Sequence, residues 1–220
     1  MAVRLFREDN QRERYLDPKA EEPRLLAACA RSRYRWLLPI MQVALHTGLR
    51  KTSIVTLRWG DLDFDRKVIT VRATNSKTGR MLRVPMNLLV EQTLPALGKR
   101  SDGTDKGAGD AVFTNEADEP VTSIRTAWEC TVAEAGLVNF TFHDLRHTFA
   151  SRLVAAGVPL LHLSKLLGHS TILMTQRYSH ASDDALASAV RKLVEGDQKF
   201  HIDSIPPQDE DATIGVSVVS

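Results

Sequence analysis

Two histidines and an arginine lie within five residues of each other in HDLRHTFASRL, residues 143–153. His143 and Arg146 are three residues apart, so on a helix both side chains project from the same side. The pattern fits either a solvated polar face or one wall of a site that binds a strongly anionic group. Metal binding by His143 and His147 at positions i and i+4 is a weaker reading, because the segment lacks the Glu of a zinc protease helix and a nearby third ligand.

Four more residues along the chain have side chains suited to chemistry, although each is weak evidence alone. Arg50 follows HTGL just past a glycine, and Lys77 lies in the polar turn NSKTG. His169 follows LG at the predicted end of a helix, where the dipole favours a partly protonated imidazole. Tyr178 lies in MTQRYSH. Taken singly, Arg50 could equally be an ordinary surface residue, Lys77 a solvated residue of a turn and Tyr178 a residue that packs against the body of the protein.

Helices and one hairpin must position these residues, which makes the predicted class α+β and mainly helical. KVITVRAT (67–74) and RMLRVPM (80–86) flank a polar turn and predict a β-hairpin with Lys77 at its tip. AVFTN, after the polar Gly-rich loop 98–110, predicts a short strand. Apolar periodicity predicts helices at 34–46, from about 50, at 87–97, at 122–135, from 143 to Gly157, at 159–167 and at 183–194, with 171–178 a short helix or loop.

The bulk composition allows one folded core and excludes several classes of protein. The chain has 220 residues, 43% of them hydrophobic, which suffices for one core with appendages. The net charge is +2, but the last twenty residues hold four of the 27 acids and no Lys or Arg, so the first 200 residues carry +6. Cys29 and Cys130 have no metal-ligand spacing and indicate a reducing compartment. The charged first residues resemble no signal peptide, and the apolar runs are too short to span a membrane. We therefore expect a soluble, cytoplasmic protein.

Taken together, the motifs resemble the catalytic domain of the tyrosine site-specific recombinases, the phage integrase family. HTGLR, a Lys in a hairpin, HDLRHTFAS, LGHS and MTQRYSH occur in this order. Arg146 precedes His169 by 23 residues and His169 precedes Tyr178 by nine, which are the family's spacings. The resemblance covers roughly residues 20–195. It implies that residues 19–196 form the tyrosine recombinase catalytic domain, a mainly helical fold with a small antiparallel sheet. Residues 1–18 would be a basic arm, and residues 197–220 an acidic tail that we expect to be disordered.

The resemblance implies an enzyme of a phage or mobile element that cleaves and rejoins DNA at specific sites. The link to DNA would be a 3′-phosphotyrosyl bond, and no metal, nucleotide or other cofactor would take part. The catalytic residues implied are Arg50, Lys77, His143, Arg146, His169 and Tyr178. An attacked phosphodiester gathers charge on its nonbridging oxygens, which the planar fork of arginine meets well.

The implied roles follow from the residue types. Tyr178 would be the nucleophile, and since a phenol with a pKa near 10 is a poor nucleophile at neutral pH, His143 could accept its proton. Arg50 and Arg146 would clamp the phosphate, and His169 would hold a nonbridging oxygen. Lys77 on its hairpin would protonate the leaving 5′-oxygen as a general acid.

The partners implied are double-stranded DNA and other copies of the chain, with no membrane. Leu186, Val190, Leu193 and Val194 form an apolar stripe on the predicted last helix. By resemblance this helix docks into a neighbouring protomer of a homotetramer on DNA, although docking on its own domain is an equal alternative, and a free chain would be a monomer. Only a basic arm precedes the predicted domain where the family usually has a DNA-clamping domain, so we expect a catalytic fragment or a shortened protein.

One position departs from the family's pattern. The family usually has an acidic residue three places after the first arginine, and this chain has Ser53 there. Because that acid supports the arginine, its absence leaves open how firmly Arg50 is oriented. Two other functions remain as alternatives: a type IB topoisomerase-like enzyme that relaxes DNA, which the His in LGHS disfavours, and a non-catalytic DNA-binding module. Six intact site residues disfavour the module, because an inert protein has no need of all of them.

Overall fold

The computed structural model describes residues 14–76 and 79–178. Lys77, the expected hairpin tip, lies outside the described residues, as do most of the expected basic arm, the expected last helix and the acidic tail. The statements below concern the described residues.

Helices dominate the fold, and a small sheet lies between the third and fourth of them. The described helices are α1 (Glu22–Arg31), α2 (Leu37–Thr47), α3 (Lys51–Val55), α4 (Leu88–Thr93), α5 (Arg125–Glu134), α6 (Phe142–Ala155), α7 (Leu160–Leu167) and α8 (Leu173–Gln176). The strands are β1 (Leu62–Asp63), β2 (Val68–Val71) and β3 (Leu82–Pro85), with 3₁₀ turns at Trp59–Asp61, Ala73–Asn75 and Pro95–Leu97. The predicted α+β, mainly helical class is confirmed. Within the described part of the chain, no helix combines the length and apolarity that crossing a membrane requires.

The sheet is antiparallel in the order β1-β2-β3, and β2 and β3 form the predicted hairpin. Ile69 pairs with Val84 and both are buried, so this face of the hairpin lies on the core. The strand predicted at AVFTN is wrong. Ala111 and Thr114 form isolated bridges to two different segments, at Arg58 and Pro120, in place of a continuous ladder.

The core is centred on α2, which packs against α1, α4 and α6. Ile40 and Met41 of α2 are fully buried. Leu16 joins this core: it is 1% exposed, and its N–H donates to Thr148 Oγ1 on α6 at 2.8 Å. The packed part of the chain therefore begins a few residues before position 18, the expected boundary of the arm.

Helix α6 carries the HDLRH segment and is buried along most of its length. It begins with a capping box in which the Thr141 N–H and hydroxyl both donate to Asp144 Oδ2, at 2.6 and 2.9 Å. The polar residues Arg146 and His147 are only 3% and 8% exposed. A solvated polar face is therefore the wrong interpretation for Arg146 and His147, because these side chains point into the protein and must find partners there, whereas His143 is exposed.

Candidate active site

Five of the six predicted site residues line one cleft of about 550 Å³. The sixth, Lys77, lies outside the described residues. The side chains lining the cleft are Arg50, Arg80, His143, Arg146, His147, His169, Ser170, Met174, Arg177 and Tyr178. They come from the turn after α2, the stretch before β3, the first half of α6 and the segment from just after α7 to just after α8, so residues far apart in the sequence converge here.

A tight turn places Arg50 at the cleft. Gly48 ends α2 in the left-handed conformation, with φ +64°, and a Cβ there would lie 2.3 Å from Cδ1 of Phe149. Only glycine meets both conditions, which explains the residue in HTGLR. Arg50 is the residue directly before α3, and its side chain is half-buried. Nearby, the Ser53 hydroxyl donates to the Asn75 carbonyl at 3.3 Å, at the place where the family usually has an acid.

Arg146 is held by the carboxyl ends of two helices. Its Nη1 donates to the Gly48 carbonyl at 2.7 Å and its Nη2 to the Leu167 carbonyl at 2.6 Å. These carbonyls lie at the ends of α2 and α7, where backbone acceptors lack partners within the helix and the dipole is negative. The described residues offer this guanidinium no carboxylate. A buried arginine is thus stabilised by helix ends, and its net positive charge stays available to an anion in the cleft.

His169 is positioned by a glycine cap that ends α7. The His169 N–H donates to the Ser164 carbonyl at 3.0 Å and the Gly168 N–H to the Lys165 carbonyl at 3.1 Å, which is a Schellman motif with Gly168 at φ +61°. The Nδ1 of His169 is 2.8 Å from the hydroxyl of the fully buried Thr175. Since Nδ1 is engaged, Nε2 is the ring nitrogen left for a ligand.

The phenol of Tyr178 lies inside the protein and contacts a second histidine of α6. Tyr178 is 7% exposed, and its ring packs with Ala150 and Leu167 in a small apolar cluster. Its hydroxyl is 2.8 Å from Nδ1 of His147. His143, which sequence reasoning proposed as the proton acceptor, instead meets the His147 ring edge to face, with centroids 4.9 Å apart.

The cleft is strongly electropositive. Among the described residues lining it, four are arginines (Arg50, Arg80, Arg146 and Arg177) and none is an acid. Burial, with Arg50 as the next cause, lowers the pKa of Arg146 to about 10, so the guanidinium stays charged at neutral pH. Burial first and the arginines second lower the pKa of His169 to about 4, so this imidazole is neutral at pH 7. An anion would offset the repulsion among these cations and raise the pKa of the imidazole.

Sequence reasoning missed three basic residues of the cleft, His147, Arg80 and Arg177, as well as Ser170 and Met174. The signal for Arg177 was its place directly before Tyr178, and that for His147 was its place directly after Arg146. The i, i+4 spacing of His143 and His147 had suggested only weak evidence for metal binding. The described residues contain no group of three or more His, Cys, Asp or Glu side chains arranged to hold a metal ion.

The arrangement is suited to an attack on a phosphate ester. A phenol oxygen and several cationic donors share one cleft, so an anionic group that enters it meets both a nucleophile and fixed positive charge. Arginine forks bind phosphate oxygens through two parallel hydrogen bonds, and they stabilise the charge that develops when phosphorus is attacked.

Comparison with known proteins gives one family and many relatives. The model of the phage integrase family matches residues 15–185. The integrase of Salmonella phage P22 is 33% identical over 195 residues, which are 84% of this chain and 48% of that protein. Tyrosine recombinase XerA of Thermococcus kodakarensis is 30% identical over 181 residues, 80% of this chain and 62% of that protein. The chain spans about half the length of the curated relatives it matches first.

Solved structures share the fold. The catalytic domain of bacteriophage HP1 integrase matches 88% of this chain and 99% of its own, with 29% identity and a TM-score of 0.61. The Tn1549 transposon integrase in complex with transposon right end DNA matches 86% of this chain and 68% of its own, with 26% identity and a TM-score of 0.68. The predicted fold, a tyrosine recombinase catalytic domain, is confirmed by these neighbours.

Proposed function

The chain belongs to the phage integrase family, and from that premise we propose that it is a tyrosine recombinase that cleaves and rejoins double-stranded DNA at specific sites. Relatives named integrase and tyrosine recombinase support this activity, and structural neighbours solved with DNA support the substrate. The single observation that carries the proposal is that a tyrosine hydroxyl and the fixed arginine charges line the same cleft.

The first chemical step is an attack by Tyr178 on a DNA phosphodiester. A bond forms between the phenol oxygen and phosphorus, the bond to the 5′-oxygen breaks, and a 3′-phosphotyrosyl link remains. Arg146 and Arg50 bind the nonbridging oxygens, where charge develops. Arg146 suits this role because two helix ends already fix its plane, so little reorganisation is needed when the charge appears.

The remaining site residues assist this step. His169 donates a hydrogen bond from Nε2 to a nonbridging oxygen, since Thr175 engages its Nδ1. His143 lines the same wall of the cleft and contacts the phosphate from the side of Arg146. Lys77, outside the described residues, protonates the leaving 5′-oxygen. Rejoining is the reverse reaction with a 5′-hydroxyl from a second duplex, and neither metal nor nucleotide takes part.

Suicide DNA tests this proposal. In such a duplex a nick next to the cleavage point lets the 5′-hydroxyl fragment diffuse away, so the covalent intermediate accumulates. We expect the wild-type chain to form a protein–DNA adduct that survives denaturing electrophoresis, and Tyr178→Phe to form none. Because the chain spans only part of its relatives, the assay is repeated with a relative's DNA-clamping domain fused before residue 1. An adduct with Tyr178→Phe would reject the nucleophile, and no wild-type adduct in either form would favour a non-catalytic DNA-binding module.

We also propose that the active assembly is a homotetramer on two DNA duplexes, joined through the predicted helix 183–194. Its apolar stripe supports this proposal, although the helix lies outside the described residues. Light scattering should give a monomer for the free chain and a tetramer with DNA. Replacing Leu186 and Val190 by Asp should abolish the tetramer while leaving single-site DNA binding intact; tetramers that persist would contradict this route of assembly.

A further inference from the structure

His147 is the residue that contacts the reacting oxygen of Tyr178. The Nδ1 atom of His147 and the phenol oxygen are 2.8 Å apart, and both side chains are buried, at 8% and 7% exposure. The two rings are tilted by 47°, with centroids 5.8 Å apart. Because Arg146 precedes His147 on α6, one helix presents adjacent residues to the phosphate and to the nucleophile.

The surroundings of His147 determine which way this hydrogen bond runs. Burial is the main cause that lowers the pKa of His147 to about 4; the charges of His143, Arg177 and Arg146 lower it further, and that of Asp144 opposes them. The imidazole is therefore neutral at pH 7. Burial also raises the pKa of Tyr178, so the phenol keeps its proton. A buried hydroxyl needs an acceptor, and Nδ1 is the acceptor within reach, so the phenol donates to Nδ1 and Nε2 carries the ring proton.

We propose that His147, rather than His143, accepts the proton of Tyr178 during DNA cleavage, an inference that rests on the proposed function. As the bond from the phenol oxygen to phosphorus forms, the phenol proton moves to Nδ1 along the existing hydrogen bond. The bond from phosphorus to the 5′-oxygen breaks at the same time, and that oxygen takes a proton from Lys77. In rejoining, a 5′-hydroxyl attacks phosphorus and gives its proton to Lys77. The bond from phosphorus to the phenol oxygen breaks at the same time, and the imidazolium returns its proton to that oxygen.

The low basicity that the protein itself gives His147 is compatible with this role. A DNA phosphate brings negative charge next to Arg146 and Arg177, which reduces their repulsion of an imidazolium. The proton acceptor thus becomes stronger when the substrate is bound. The positive charges of Arg146 and Arg177 oppose the effect of burial on the pKa of Tyr178, so they favour the phenolate character that its oxygen gains in the transition state.

The test compares adduct formation on suicide DNA by the wild-type chain, His147→Asn and His147→Gln. We expect the His147 variants to react about 10²–10⁴-fold more slowly at pH 7, the usual contribution of a general base. The deficit should shrink as the pH rises, since the phenol then loses its proton to solvent. His162→Asn is the matched control, because His162 is exposed on α7 and outside the cleft. It should react like the wild type.

A second substrate separates the base from the acid. When sulfur replaces the bridging 5′-oxygen, the leaving group needs no proton, so a Lys77→Ala variant should recover much of its rate. A His147→Asn variant should recover none. Recovery of both variants alike, an equal deficit at every pH, or a rate close to that of the wild type would each overturn the role of His147. No adduct with the wild-type chain would instead reject the proposed function itself.

A measurement on the wild-type protein guards against variants that fail to fold. The ¹⁵N resonances of the histidine rings report which nitrogen carries the proton. We expect Nδ1 of His147 to be unprotonated and Nε2 protonated, and Tyr178→Phe to shift the Nδ1 resonance of His147. A protonated Nδ1 at pH 7 would overturn the proposal.

Discussion

Replacing Arg146 by Lys should lower both activity and stability, whereas the same change at Arg50 should lower only activity. Both arginines line the cleft and both are proposed to bind the phosphate. They differ in their contacts within the protein. Arg146 donates to the carbonyls of Gly48 and Leu167, while the side chain of Arg50 makes no hydrogen bond or ion pair with the described residues.

The size of the effect follows from these contacts. A lysine at position 146 has one nitrogen in place of the fork, so at least one helix-end carbonyl loses its charged donor, at a cost of about 1.5–3 kcal/mol. The ammonium would also be buried, which is costlier than burying a guanidinium because it is more strongly hydrated. For a chain of this size, about 1.5–3 kcal/mol corresponds to a fall in melting temperature of roughly 3–12 °C. Losing one fixed donor to the transition state costs on the order of 3 kcal/mol of barrier, about a hundredfold in rate.

Thermal unfolding and adduct formation on suicide DNA measure the two effects separately. We expect Arg146→Lys to show both losses, and Arg50→Lys to show the loss of rate with a melting temperature close to that of the wild type. Equal melting temperatures for the two variants would refute the argument that Arg146 holds the helix ends. An unchanged rate in Arg146→Lys would refute the need for its fork at the phosphate.

Three further predictions concern pH, a glycine and salt. The pKa values of His147 and His169 lie at about 4 in the folded chain, against 6.5 for a free histidine, so the unfolded chain binds more protons between these two pH values. The melting temperature should therefore fall as the pH drops from about 6.5 to about 4. If this fall is no shallower in His169→Asn, the low pKa assigned to His169 is wrong. Gly48→Ala should destabilise the fold by about 1–2 kcal/mol from its left-handed backbone alone, and by more from the clash with Phe149, as measured by urea unfolding. DNA binding by this chain alone should be weak and should decline steeply and linearly in log[salt], as measured by fluorescence anisotropy, because phosphate contacts dominate it; tight, salt-insensitive binding would contradict the charge-based view of the cleft.

Periodicity and turn residues were sufficient to predict most of the elements. The hairpin follows from two β-rich runs around a polar turn, and α6 from its apolar spacing and its stop at Gly157. Sequence reasoning failed where an element depends on distant partners. Strand β1 is two residues long and is a strand because β2 lies beside it. AVFTN has the composition of a strand, but it forms only one bridge with each of two neighbouring segments.

The candidate site was predicted by resemblance, but its internal geometry was not. Nothing in the sequence says that Arg146 caps two helices, because the carbonyls at Gly48 and Leu167 are 98 and 21 residues away from it. Sequence reasoning also named the wrong contact of Tyr178, His143, because that contact too joins residues that are distant in the sequence. His143 and His147 are one turn of helix apart, and only the course of the chain after α7 decides which of them the phenol reaches.

The helix-end contacts of Arg146 connect the stability of the fold to the chemistry of the cleft. A guanidinium buried without a carboxylate would be too costly on its own, so it must be offset by oriented backbone dipoles. A carboxylate partner would offset the cost more fully, but it would also cancel the positive charge that a phosphate needs. Carbonyls at the ends of α2 and α7 carry only partial charge, so they stabilise Arg146 and leave most of its field in the cleft. The same logic explains why HTGLR and LGHS both contain glycine: each glycine ends a helix whose last carbonyls face the arginine, and a residue that follows it, Arg50 or His169, enters the cleft.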